Sequence, residues 1–579
     1  MQEIPRAAAS LPYHEPGIKT ILIQSTFLLL LNIANYILDR AVYCGLLGQV
    51  FLGVAWGTPG AKWLGVEAEH VILQLGYLGL LLLVYEGGLS TSLHSLKANI
   101  LLSVGVAITG ISLPIGLSFI LRDLIRATPI QCFAAGAALC STSLGTTFTV
   151  LGSSGLIKSR LGVVLTSAAM MDDVVGLVMV QVISNLGQSS TNISAAVVVR
   201  PLLVSLAFGV VSPLVCVAIA KPATLWLNSR RAQNPRGHLN RTLQTHQAAF
   251  FLHTSILLGC TTAATYAGTS NLFAAYIAGA SITWWDLEVP HSIDYGSSQN
   301  PNIPPEGDVS EATRRHERDG STSPSGSTSE NDFPIAPSGV EVYEMYYLAP
   351  VNRILRPLFF ASIGFSIPIT EMFSRSIVWR GIIYTVLMTI GKVACGVWLL
   401  RLSLKSSIIS RLKAQLLRLP RPGLKHFWGR KSEEQASTTQ EQAQELSIRT
   451  PTPEASSAPP RASLARSEPA VAHSHTTTAS TKPRSVYPAA IIGCAMTARG
   501  EIGFLISSIA ESNGIFMSDS DRGTSSDIFL VVTWAIVLCT ILGPLAVGLV
   551  VQRVKKLQRG VEKDGRVIRE DVLGVWGLS

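Results

Sequence analysis

Two adjacent carboxylates, Asp172 and Asp173, stand about twelve residues into an otherwise apolar stretch, in the run Met171-Asp172-Asp173-Val174. A charged side chain at the centre of a membrane helix costs at least ~2.5–3.5 kcal/mol, so such residues are kept for function or paired with one another. A helix-end cap would explain a carboxylate cheaply, but this pair lies too deep for that. Thr166, Ala169, Asp173 and Gly176 follow helical spacing. They form a stripe of small residues against which a neighbouring helix can approach closely, so Asp173 faces protein rather than lipid. Lys392, in Ile390-Gly391-Lys392-Val393, is the single lysine in the interior of an apolar block. It lies too deep to snorkel and needs an acidic partner, which the Asp pair can supply. Arg499 and Glu501 fall in Met496-Thr-Ala-Arg-Gly-Glu-Ile-Gly503, and Ser141-Thr-Ser-Leu-Gly-Thr-Thr147 is a second polar, glycine-containing interruption. Both are places where a membrane helix can unwind, and paired broken helices at matching positions of two halves point to a transporter's site. The chemistry available is exchange. A carboxylate in a dry, protein-lined site can take up a proton or a cation, but not both. A hard cation there would take oxygen ligands from carboxylate, hydroxyl and freed carbonyl groups. No cofactor is needed.

These residues are carried by a chain of 579 residues that is 48% hydrophobic and only 14% charged, with a mean hydropathy of +0.37. Soluble domains hold roughly 25% charged residues, so an ordinary cytosolic globule and a disordered protein are both excluded. The apolar residues come in blocks of about twenty, each long enough to cross a bilayer core of roughly 30 Å. Thirteen are read, over 19–38, 41–57, 69–89, 98–121, 130–151, 161–185, 198–220, 245–267, 269–286, 349–371, 378–400, 486–511 and 526–550. The first two join so tightly at Asp39-Arg40 that they could be one kinked element, and the eighth and ninth run almost together, so twelve to fourteen helices are admissible. The eight cysteines all fall inside blocks, where they read as small packing residues rather than disulfides or a metal site. The first twenty residues have three prolines and no apolar core of the signal-peptide kind, so the first block is expected to be kept as a helix.

The organisation that follows is a short segment over 1–18, helices one to nine over 19–286, a polar loop over 287–348, helices ten and eleven over 349–400, a second loop over 401–485, helices twelve and thirteen over 486–550, and a tail over 551–579. The first loop is rich in Ser, Pro, Gly and Glu, and the second turns from basic to Ser/Thr/Pro-rich. Both are too polar to build a core and are expected to be mostly disordered. Within the second, 402–430 alternates Leu and Ile with Arg and Lys and reads either as a basic amphipathic helix on the membrane surface or as charge running past a helix end.

The net charge of +9 does not point to nucleic acid, because the basic residues lie between the blocks, where they set orientation. Thirty-three of the 46 Lys and Arg fall on one side of the thirteen-block topology and nine on the other. That places the N-terminus outside or in a lumen, and the C-terminus and both long loops in the cytoplasm. The sequon at Asn192 would then be lumenal and open to glycosylation, and the one at Asn240 would not.

Several of these stretches together resemble a known family. Cys140-Ser-Thr-Ser-Leu-Gly-Thr-Thr147, Ser159-Arg-Leu-Gly162 and Ala168-Ala-Met-Met-Asp-Asp-Val-Val-Gly-Leu177 are similar to the Na+/H+ exchanger superfamily, and within it to the monovalent cation:proton antiporter-2 branch. Leu83-Val-Tyr-Glu-Gly-Gly-Leu89, Pro357-Leu-Phe-Phe-Ala-Ser-Ile-Gly364, Gly391-Lys392 and Ala498-Arg-Gly-Glu501 follow in family order, and the Ser/Pro-rich loops resemble those of fungal members. The resemblance implies an all-α polytopic fold of inverted repeats with crossed, discontinuous helices, and a homodimer in the bilayer. It implies that Asp173 is the cation- and proton-binding carboxylate, that Asp172 and Lys392 form an intramembrane ion pair, and that Thr142 and Ser143 lie at the unwound crossing. Arg499 and Glu501 would be structural charges. Met171 and the Glu86-Gly-Gly order depart from the family pattern, so Glu86 is given no transport role.

The reading is an antiporter exchanging Na+ or K+, with Li+ a further candidate, for H+, and not an enzyme. A K+ efflux or channel-like protein and a non-transporting sensor would share the fold. The short tail after 550 leaves no room for a nucleotide-binding domain that would gate efflux, and the presence of Asp172, Asp173 and Lys392 argues against a sensor. An intramembrane aspartyl protease would need GxGD and two Asp on different helices, and has neither here. Plasma membrane and an acidic organelle fit equally. Protease added to intact cells, or to sealed right-side-out vesicles, should cut neither 287–348 nor 402–485. Cleavage of either from outside would reverse the orientation.

Overall fold

The structure is a computed structural model and describes residues 15–91, 93–143, 156, 159–188, 195–233, 242–243, 245–288, 338–401, 486–517, 525–563, 573 and 576. Asn192, the 402–430 segment, most of the 287–348 loop and the second half of the fifth block lie outside these residues. Among the described residues the chain is helical throughout, and it is a multi-pass integral membrane protein. Eight helices are long and apolar enough to cross a bilayer.

In chain order the helices are α1 (Ile18–Val42), α2 (Gly45–Trp56), α3 (Val66–Leu89) and α4 (Leu93–Leu117), which runs on through a tighter turn into Leu121–Ile125. Then come α5 (Pro129–Ala138), α6 (Arg160–Gln188) and α7 (Ala195–Val215), which continues through a π turn, Cys216–Ala220, into Lys221–Gln233. They are followed by α8 (His246–Ala267), α9 (Asn271–Glu288) and α10, which starts at Gly339–Tyr346 and ends at Arg356–Phe365. The last four are α11 (Arg375–Val393, extended through Val397–Arg401), α12 (Tyr487–Ala495), α13 (Glu501–Ser512) and α14 (Asp527–Lys563).

The helices follow the order of the apolar blocks. A left-handed Tyr43 (φ 57°) separates α1 from α2, and Gly268 (φ 80°) separates α8 from α9. α2 is only 12 residues long, and the 486–511 block is two short helices with a non-helical link. The π turns of α7 and α10 follow Pro213 and Pro350. A proline has no N–H to give the helix, and the backbone re-registers around the gap.

Two packing groups emerge. α1, α2, α3, α8, α9 and α10 pack on one another as a scaffold, and α4, α5, α6, α11, α12, α13 and α14 form a core, with α7 lying along α6 and α9. Within a bilayer the hydrophobic effect does not hold helices together, so close backbone approach must. The α2–α10 contact shows it: a Cβ on Gly53 would fall 2.1 Å from the Ala361 carbonyl oxygen, and one on Gly364 2.3 Å from that of Val50. The core is the drier group. The apolar window of α14 is 72% buried, whereas that of α7 is 6% buried and faces its surroundings.

Candidate functional site: a charged crossing of two broken helices

α5 starts firmly. Thr128 and Gln131 cap each other's backbone in a reciprocal box with Pro129 in the first turn, a strong N-terminal signal. The helix is only 10 residues long, about 15 Å at 1.5 Å per residue, and stops inside the core. Beyond it stands Cys140-Ser-Thr-Ser143, whose hydroxyls compete with the helix for backbone partners. α12 likewise ends at Ala495, and Ala498-Arg499-Gly500 is non-helical before α13 begins. The two ends meet. Ser143 N donates to the Ala498 carbonyl at 3.0 Å, and Arg499 Nη1 donates to the Ser141 carbonyl at 2.5 Å. Gly500 permits the crossing, since a Cβ there would sit 2.6 Å from Ser143 Cβ. Behind it, Thr540 of α14 donates to the Arg499 carbonyl at 3.1 Å. Each break frees backbone carbonyls that no helix satisfies, and the fold spends them on cations.

The central cation is Lys392 of α11. Its Nζ donates to Asp172 Oδ2 at 2.7 Å, to Thr142 Oγ1 at 2.9 Å and to the Cys140 carbonyl at 2.5 Å. An ammonium has three donors, and all three are used. Asp172 and Lys392 are both 0% exposed. Thr142 joins them, donating to Asp172 Oδ2 at 2.9 Å with the Met496 carbonyl at 3.3 Å. α4 closes this side: Gly110 lies against the pair, where a Cβ would be 3.2 Å from both Asp172 Oδ2 and Lys392 Nζ. Asp172 Oδ1 is buried without a hydrogen-bond partner among the described residues.

Asp173 has different surroundings. It is only half-buried. Its Oδ1 accepts from Ser141 Oγ at 2.9 Å, a neutral donor, and no cationic side chain pairs with it among the described residues. Gly176, one turn on, packs against Ser141 and Ile502, which brings α6 flush with the crossing.

The structure thus brings Asp172, Asp173, Thr142, Ser143, Lys392 and Arg499 into one cluster. Sequence reasoning named Thr142 and Ser143 as crossing hydroxyls. Thr142 serves the Asp172–Lys392 pair and Ser143 packs on Gly500, while the hydroxyl on Asp173 belongs to Ser141, which it passed over. The signal was present in the same Ser-Thr-Ser run, but which of three neighbouring hydroxyls meets which Asp depends on how the broken chain turns. Arg499 and Glu501 do not pair with each other. Arg499 is fully buried and ties down a carbonyl. Glu501 opens α13, where a helix N-terminus favours a carboxylate, and lies within electrostatic reach of Asp173. No group of three or more His, Cys, Asp or Glu among the described residues could hold a metal ion, and Na+ and K+ in the reading above are cargo.

Residues 27–295 match the family described as sodium/hydrogen exchanger, transmembrane. Among curated proteins, the chain is 28% identical over 152 residues to the Na(+)/H(+)-K(+) antiporter GerN of Bacillus cereus, covering 26% of this chain and 39% of that one. It is 31% identical over 140 residues to the high-affinity Na(+)/H(+) antiporter NhaS3 of Synechocystis, covering 24% and 30%. The chain thus spans less than half the length of these two relatives. Among solved structures, the sodium proton antiporter MjNhaP1 of Methanocaldococcus jannaschii aligns over 93% of this chain and 99% of that one, at 12% identity and a TM-score of 0.44.

The buried pair makes a direct prediction. Removing one partner of a buried ion pair strands the other and costs about 3–5 kcal/mol, whereas replacing both can be nearly neutral. Lys392→Met should sharply lower the thermal stability of the purified protein in detergent, and adding Asp172→Leu should restore most of it. Losses that simply add would show that the two residues do not act as a pair.

Proposed function

We propose that the chain is a member of the Na+/H+ exchanger superfamily, whose family model matches residues 27–295, and that it is a secondary antiporter that exchanges a monovalent cation, Na+ or K+, for protons, with Asp173 as the shared site. One observation supports this most: the two adjacent carboxylates have unlike partners. Asp172 is closed off by Lys392 and Thr142, whereas Asp173 is half-buried and held only by the Ser141 hydroxyl among the described residues. The printed names of the relatives, Na+/H+ antiporters and one Na+/H+-K+ antiporter, agree with that cargo.

In the proposed cycle Asp173 releases its proton to one side and takes up a cation, with Ser141 and the carbonyls freed at the crossing as further oxygen ligands. The core group then moves against the scaffold and presents the site to the other side, where a proton displaces the cation. Exchange results because Asp173 must be occupied for the movement and cannot hold both ions. If the cation also draws Asp172 away from Lys392, the lysine loses its partner. Desolvation then disfavours its charged form, and a second proton joins the cycle. We propose this two-protons-for-one-cation exchange, a dimer of such protomers, and the orientation with the C-terminus in the cytoplasm.

Asp173→Asn keeps the shape and the acceptor for Ser141 but cannot carry the charge. In liposomes it should be inserted and folded, and should dissipate no pH gradient with Na+, K+ or Li+. The wild type should respond to at least one of them and to an imposed membrane potential. Near wild-type exchange by Asp173→Asn would place the carrier carboxylate elsewhere, and an end point indifferent to voltage would leave Lys392 as a clamp only.

A further inference from the structure

α9 of the scaffold carries a tyrosine where the two packing groups meet. Its Phe273, Tyr276 and Ile277 share one apolar cluster with Val174, Leu177 and Val178 of α6, the residues that follow Asp173. α9 also packs against both α3 and α6. Tyr276 lies within electrostatic reach of Asp173. Its backbone is held in place by α3. Gly88 leaves no room for a Cβ against the Tyr276 carbonyl, and Gly279 none against the Tyr85 carbonyl, so the two helices touch backbone to backbone at this level. Thr283 of α9 adds a hydrogen bond to the Leu89 carbonyl at 2.6 Å.

The phenolic proton can be placed by counting donors. Tyr276 Oη lies 3.0 Å from Thr91 Oγ1, and Thr91 Oγ1 donates to the Gly87 carbonyl at 3.0 Å. A hydroxyl has one proton to give. Thr91 gives its proton to Gly87, so in the other bond it accepts and Tyr276 donates. Thr91 is only 4% exposed, which keeps water from competing for that bond. The phenolic oxygen is left with its lone pairs, and among the described residues no group donates to it. A fixed neutral acceptor suits a hydrated cation, whose waters turn their oxygens to the ion and their protons outward. A phenol free to donate would instead hydrogen-bond the charged carboxylate and compete with the cation for it.

We propose that Tyr276 is the scaffold's contribution to the cation site, a neutral oxygen acceptor for the hydrated cation at Asp173, and that Thr91 is a positioning residue that keeps the phenol from donating. The proposal rests on the reading of Asp173 as the shared site and adds a residue to that site from the other packing group. With Asp173 on the core and Tyr276 on the scaffold, the contact exists in one position of the core and is lost in the other. Cation affinity is then higher on one side of the cycle.

The test is calorimetric titration of the purified full chain with NaCl and with KCl, alongside exchange in liposomes. Tyr276→Phe keeps the ring and removes the oxygen. It should weaken binding of the cation that wild type takes up by about fivefold, the size of one neutral hydrogen bond, and KM should rise by the same factor while kcat holds. Thr91→Val, which frees the phenolic proton, should weaken binding too, and Thr91→Ser, which keeps the acceptor, should recover most of it. Thr91→Val combined with Tyr276→Phe should be no worse than Tyr276→Phe alone. A fall in kcat at constant KM, or losses at Thr91 and Tyr276 that add, would overturn the proposal. Binding that Asp173→Asn abolishes and Tyr276→Phe leaves unchanged would overturn it while antiport stands. A wild type that binds the cation but exchanges nothing would overturn antiport, and the affinities of the variants would still decide the place of Tyr276. A wild type that binds neither cation would overturn both.

Discussion

The fold depends on how it carries four charged side chains, Asp172, Asp173, Lys392 and Arg499, through a medium that offers them no water. A helix satisfies its own backbone and has nothing left for a charge. This protein breaks two helices at the same depth, and the breaks release carbonyl groups. Cys140 O goes to Lys392 and Ser141 O to Arg499. The cations therefore hold the crossing together as much as the crossing holds the cations. Lys392 in turn fixes Asp172, and its neighbour Asp173 is held, among the described residues, by the Ser141 hydroxyl alone.

Everything around the crossing serves that contact. Gly500 lets one broken strand reach the other, Gly110 lets α4 cover the ion pair, and Thr540 steadies the second break from α14. The scaffold is built from close glycine contacts such as Gly53 on Ala361, with few polar ties to the core. Such contacts depend on shape and dispersion rather than on a hydrophobic drive, which suits the scaffold of the proposed cycle.

Much of this was legible in the sequence because charge in an apolar block is rare and costly. Asp172, Asp173 and Lys392 stood out on that ground alone, and the Gly and hydroxyl runs at 141–147 and 496–503 marked the breaks. What was not legible depends on three-dimensional direction. Ser141, Thr142 and Ser143 are chemically similar neighbours, and only the turn of the chain assigns one to Asp173, one to the ion pair and one to Gly500. Arg499 and Glu501, both read as structural charges, take different places because the helix begins between them: Arg499 is buried at the crossing and Glu501 opens α13. Hydropathy sees one apolar block at 486–511, and only the Gly-containing run at 496–503 marked where its hydrogen bonding stops.

The central claim is that one carboxylate, Asp173, is contested by a proton and a cation while Asp172 is held by Lys392. The most direct measurement is the equilibrium affinity for Na+ and K+ across pH, by calorimetry on the purified protein. Competition for one carboxylate predicts that, on the acid side, affinity weakens by about tenfold per pH unit, that cation binding releases protons, and that Asp173→Asn binds neither ion. A cation affinity that is independent of pH, or that survives in Asp173→Asn, would contradict the account.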